Sequence, residues 1–129
     1  MKRQTFMLIA ALLACAFGLS MLLSPASMLA NMTTGAGPDA ARVLRWSGTA
    51  LFSIGIITFF SRNDPGSPAL RGVMIGNVMI HALALVVDVN DHLGGFVNKQ
   101  GIIMGTIVHL VIGGGFIYYL LADRRRTEP

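Results

Sequence analysis

Residues 71–92, RGVMIGNVMIHALALVVDVNDH, are apolar enough and long enough to cross a bilayer, yet they carry Asn77, His81 and Asp88. At about 100° per residue those three positions, spaced by four and seven, share one helix face, and His92 continues the row beyond the membrane end. Polar side chains at bilayer depth are costly, so they point into a bundle interior or a wet cavity. The remaining segments are therefore expected to pack around this face, and the expected fold is an all-α integral membrane four-helix bundle.

Composition agrees. Of 129 residues, 53% are hydrophobic and only 12% charged, far from a soluble average. We expect one membrane domain over residues 1–129, with helices over about 6–29, 43–60, 69–89 and 101–122. The basic N-terminus and apolar run resemble a signal peptide, but the run continues well past Cys15, which favours an uncleaved first helix. Ser24-Pro25 kinks or ends that helix, because proline removes a backbone donor and crowds the carbonyl four residues back. Asn31 to Ala41, Ser61 to Pro68 (SRNDPGSP) and Asn90 to Gln100 read as the breaks between spans.

Four spans running up-down-up-down put both termini on one side. Lys2, Arg3, Arg62, Arg71, Arg124, Arg125 and Arg126 lie there, against Arg42, Arg45 and Lys99 on the other, seven to three. The positive-inside rule makes the terminal side cytoplasmic and the protein a multi-pass component of the cell inner membrane. The net charge of +4 is explained by this placement; no basic stripe interleaved with aromatics points to nucleic acid. Cys15 is the sole cysteine, so no intrachain disulfide or cysteine zinc cage can form.

Helices in lipid associate through small residues and a few polar contacts. Candidate rows are Ala10, Ala14 and Gly18 on the first span, Gly48 and Gly55 on the second, Gly72 and Gly76 on the third, and Gly101, Gly105 and Gly113 on the fourth. These faces bury against this chain, a protein partner or a second copy. His109 interrupts the last row, and His81 and His109 each fall about 12 Å below the outer end of their helices, which matches their depth. Asp88, near the outer end, is expected to form an ion pair with Arg45.

His81 and His109 are the candidate cofactor-binding residues: two imidazoles on facing helices can hold a haem iron or another metal, with Gly76 and Gly105 admitting a flat macrocycle, or can hydrogen-bond a quinone. Alternatively each fixes helix register through a hydrogen bond. A proton route along Asn77, His81, Asp88 and His92 would need partners toward the cytoplasm, where only Arg71 and glycine follow. The stretch from Asp88 to His92 lacks the glycine and closing glutamate of a calcium loop, the methionines form no cluster, and no catalytic triad or Walker motif is present.

With proline ending the first helix, PDAARVLRWSGTALFSIGI (38–56) leading the second, a basic turn and a glycine-rich last helix, the chain resembles the small four-helix bacterial membrane proteins grouped loosely with the DoxX-like proteins. The resemblance covers nearly the whole chain and rests on layout, with the step from Arg45 to Gly48 as its nearest approach to a motif. It implies a membrane partner of quinone-linked oxidoreductases and carries over no catalytic residue. The functional expectation is a non-catalytic accessory or assembly subunit of a larger membrane system. The alternatives are a redox subunit binding haem or quinone at His81 and His109, or a small transporter protomer that would have to oligomerise.

Overall fold

The computed structural model describes residues 1–37 and 39–127, with side chains described as far as Asp123 apart from that of Pro38. Pro38, the tail after Thr127 and the side chains of Arg124, Arg125 and Arg126, which the sequence reading used, lie outside the described residues. The chain is all-helical: α1 (Arg3–Leu23), α2 (Pro25–Met32), α3 (Ala40–Ser61), α4 (Pro68–Leu93) and α5 (Lys99–Thr127). Four of these, all but α2, are long and apolar enough to span a membrane. Their outer faces expose Leu12, Ile57, Leu83, Val86, Leu110 and other large apolar side chains, as a lipid environment requires. This is a multi-pass membrane protein.

The first span is shorter than residues 6–29. Ser24 leaves helical geometry at φ −136°, and Pro25 opens a separate short helix, α2. Proline suits the first turn of a helix, where its missing N–H has no partner in any case. The later spans run longer than expected. Ser67 caps α4 by accepting from the Leu70 amide, with Pro68 in the first turn. At the far end Gly95, at φ +79°, supplies the left-handed step that stops α4, and the Asn98 side chain accepts from the Gly101 amide at the start of α5.

The helices form two close pairs. In α1 and α3 the backbones touch: a Cβ on Gly18 would stand 2.6 Å from the Phe52 nitrogen, one on Gly48 2.8 Å from the Gly18 carbonyl, and one on Gly55 2.9 Å from the Cys15 nitrogen. The expected row Ala10, Ala14, Gly18 is divided: Ala11, Cys15 and Gly18 meet α3, whereas Ala10 turns toward α4 and α5. In α4 and α5, His81 meets Gly113 and Asp88 meets Gly105. Along both pairs, residue numbers that rise on one helix fall on its neighbour.

An apolar cluster of Phe6, Met7, Ala10, Leu70, Met74, Ile112 and Phe116 joins the pairs near the chain ends. The Phe6 ring meets Phe116 edge-on at 5.0 Å between centroids. Arg3 closes that end, pairing with Asp123 at 2.7 Å and donating to the Asp64 carbonyl. At the other end the first and third loops are stitched by Thr34 N–H to Phe96 O (3.0 Å) and Asn98 N–H to Met32 O (3.0 Å). The Asn98 amide adds a bond to Asn31 O at 2.9 Å.

Candidate functional site

The site is built where α4 and α5 cross at mid-length. His81 is thirteen residues from the start of α4 and twelve from its end, so its ring lies near the middle of the span. Gly113 lets α5 approach its base, since a Cβ there would sit 2.9 Å from the His81 Cβ. That approach brings the two histidines together: Nδ1 of His81 lies 2.9 Å from Nδ1 of His109, a hydrogen bond in which one ring donates and the other accepts. The rings are tilted at 52°, with centroids 5.2 Å apart. The matched depth expected from the sequence becomes direct contact.

The other face of His109 looks toward Asp88. Its Nε2 is 3.4 Å from the carboxylate, longer than a formed hydrogen bond and within reach of one after a small side-chain rotation. Gly105 makes the space, because a Cβ there would occupy the place of the Asp88 carboxylate oxygen. The expected Asp88–Arg45 pair is corrected here: Asp88 turns across the α4–α5 contact to His109, and Arg45 is exposed on α3 and makes no ion pair among the described residues. The reason is geometric. The third span touches the second sparingly and the fourth along its length, so the partner within reach of Asp88 is on α5.

Asn77 takes a different neighbour. It is 8% exposed and its amide donates to the hydroxyl of Thr58 on α3 at 3.1 Å and to Val73 O at 2.9 Å. The polar face of α4 therefore divides, with Asn77 serving α3 and His81 and Asp88 serving α5. His92 leaves the row altogether and bonds the Val97 carbonyl at 2.8 Å. Thr58 was missed by the sequence reading, and no spacing sets it apart from Thr49 or Ser53 on the same helix. Those two satisfy their hydroxyls on the carbonyl four residues back, at 3.0 and 2.9 Å.

Three groups thus line up: the Asp88 carboxylate, the His109 ring and the His81 ring. The line ends at His81 Nε2, which has no hydrogen-bond partner among the described residues and is not among their sealed polar atoms. Beyond it toward the chain ends stand Asn77, bonded elsewhere, and the apolar cluster of Met74, Leu70, Phe6 and Phe116. The line therefore covers part of the span, from near the C-terminal end of α4 to its middle.

Such a line can move a proton. With Asp88 ionised and both rings neutral, His109 holds its proton on Nε2 toward the carboxylate and accepts at Nδ1 from His81. A proton added at His81 Nε2 releases the Nδ1 proton to His109, which becomes an imidazolium beside Asp88. The incoming proton leaves an external acid as the His81 Nε2–H forms, the His81 Nδ1–H breaks as the His109 Nδ1–H forms, and the positive charge comes to rest against a carboxylate. At most one ring can be cationic while the Nδ1–Nδ1 bond stands.

The Nδ1 pair as placed does not share a haem iron. Nitrogens sharing a metal at about 2.0–2.1 Å each stand more than about 3 Å apart, and about 4 Å apart across a haem iron. At 2.9 Å the two Nδ1 atoms are a hydrogen-bond pair. Gly76 is exposed with nothing near it, and the space at Gly105 holds the Asp88 carboxylate, so the two glycines do not border a slot. No cluster of three or more histidine, cysteine or acidic side chains able to hold a metal occurs among the described residues. Comparison with known proteins finds no matching family model, curated protein or solved structure.

Proposed function

We propose that this chain is a small accessory subunit of a larger system in the bacterial inner membrane, and that its part is to take up and hold a proton at mid-membrane through His81, His109 and Asp88. The observation that carries the reading is the end of the line: it stops at the free Nε2 of His81 in the middle of the span, with an apolar plug beyond. A relay that halts there needs a neighbour to give or receive the proton, which favours an accessory subunit over a self-contained transporter. The bundle is read as up-down-up-down with both termini cytoplasmic, supported by the opposed contacts within each pair and the seven-to-three basic excess. A neighbouring helix is expected on the exposed Gly72 and Gly76 face, which no side chain among the described residues fills.

A quinone is the second reading, favoured by the same free Nε2, which can donate to or accept from a quinone oxygen. It also agrees with the DoxX-like layout and the quinone-linked partners which that resemblance implies.

The test is histidine-labelled protein in bilayers, examined by ¹⁵N magnetic resonance. The proton-sharing reading expects one Nδ1–H···Nδ1 signal that disappears in both His81→Gln and His109→Gln and survives Asn77→Leu. Two independent imidazoles would overturn it. Quinone extraction and a redox spectrum of the protein purified from its native membrane decide the second reading: a quinone lost in His81→Gln supports it, and a quinone-free sample removes it.

A further inference from the structure

A cavity of about 710 Å³ opens between the first turns of α1 and α4 and the last turns of α5, at the end of the molecule where the chain begins and ends. We propose that it binds the head group of an anionic phospholipid from the leaflet on that side. Its mouth is lined by Lys2, Arg3 and Arg71 and its floor by Leu70, Met74 and Leu120. Charge is already distributed unevenly there. Arg3 is committed to Asp123 and to the Asp64 carbonyl, whereas Lys2 and Arg71 are exposed and make no ion pair among the described residues.

The neighbouring loop does not supply the anion site. The amides of Gly66 and Ser67, which face the start of α4, both donate to the Asp64 carboxylate at 2.8 and 2.7 Å, and the Leu70 amide donates to Ser67. Among the described residues, recognition therefore falls to the side chains of Lys2 and Arg71. Basic pockets between membrane helices at the headgroup level suit phospholipid phosphates. Tyr118 and Tyr119 on the same wall are of the type that sits at that level.

The floor separates a lipid from a free phosphate. From Leu70 to Met74 the wall descends about 6 Å along α4, and both side chains belong to the apolar cluster. A phosphate ion has no use for that surface; the glycerol and first acyl carbons of a lipid do. The molecule contains its own contrast, a smaller cavity between α2 and the first loop, lined by Ala26, Leu29, Ala30 and Thr33 among others and, among the described residues, by no charged side chain. The proposal needs only the placement of the spans and is independent of the proton-holding role of the histidines.

The experiment is native mass spectrometry of the full chain released from nanodiscs of equal phosphatidylglycerol and phosphatidylcholine. The expected result is retained phosphatidylglycerol on the wild-type protein. Lys2→Gln with Arg71→Gln should lower its retention roughly ten- to thirty-fold, and the charge-keeping pair Lys2→Arg with Arg71→Lys should keep most of it. Arg42→Gln with Arg45→Gln, which removes two cations at the other end, should leave it unchanged. Equal loss in that second pair would overturn the site by showing a general charge effect. Displacement by inorganic phosphate, beyond that by chloride at equal ionic strength, would overturn the lipid assignment in favour of a small-anion site. A helical circular dichroism spectrum like that of the wild type keeps each variant interpretable.

Discussion

The two helix pairs use the same residue to opposite ends. Between α1 and α3, Gly18, Gly48 and Gly55 let backbone meet backbone, and Cys15 in the seam makes only a 3.9 Å contact to the Phe52 carbonyl. Between α4 and α5, Gly105 and Gly113 make room for side chains, an Asp88 carboxylate and the base of His81. The first pair is closed by backbone contact. The second brings titratable groups together from the middle of α4 toward its C-terminal end. Small residues in a lipid-embedded seam thus either draw helices together or house a polar group, and the side chain opposite decides which.

The largest effect expected from breaking this contrast is in the closed pair. Gly18→Val would push a side chain against the Phe52 backbone, which cannot yield as a flexible side chain can, and should cost about 3 kcal/mol of bundle stability. Gly76→Val, on an open face, should stay within about 0.5 kcal/mol for the isolated chain. Steric-trap unfolding in bicelles measures both. A Gly76→Val variant that is stable alone yet fails to assemble in native membranes would locate the partner helix.

In the polar pair, His109→Ala leaves both Asp88 and His81 without their described partner and should cost about 2 kcal/mol by the same measurement. Exchanging charges, Asp88→Arg with Arg45→Asp, should give no rescue over Asp88→Arg alone, because Arg45 does not pair with Asp88. Recovery of stability would restore the pairing read from the sequence.

A smaller effect belongs to Asn77 and Thr58, the polar contact between the pairs. Thr58→Val should cost about 0.6 kcal/mol, as interhelical hydrogen bonds in membranes do on average, and the double change with Asn77→Leu should recover part of it by leaving no unpaired amide.

The smallest lies in the loop that joins α3 to α4. Hydrogen bonds from the Ser67 side chain and the Ser67 and Gly66 amides hold the Asp64 carboxyl down to about 2, against an ordinary 3.8. Because the folded value is the lower one, this contribution is complete above the ordinary value and is lost as the pH falls through about 2. Protection of the Gly66 and Ser67 amides, taken relative to intrinsic exchange at each pH, should fall over that range in the wild type, and Asp64→Asn should remove that pH dependence of protection.

Much of the site was legible. His81 and His109 could be placed at one depth because the rise of a helix is fixed, and their contact followed once Gly113 admitted the ring. The partner of Asp88 was misread because depth alone left Arg45 and His109 both admissible. Thr58 was invisible, since a hydroxyl in an apolar span normally bonds its own helix.

The sequence by itself determined the spans and their breaks: runs of apolar residues set the helices, Ser24-Pro25 interrupts the first, and the Asp64 to Ser67 turn with its cap starts α4. Those signals are local and add along the chain. Only the tertiary structure decided the rotation of each helix, and with it that Ala11 rather than Ala14 faces Gly55, that Asn77 turns to α3, and that Asp88 turns to His109. A helix that is apolar all round, as these are in lipid, has no hydrophobic face to fix its rotation. Close approach at a few glycines and the pairing of a few polar groups fix it instead, and both depend on what the neighbouring helix presents.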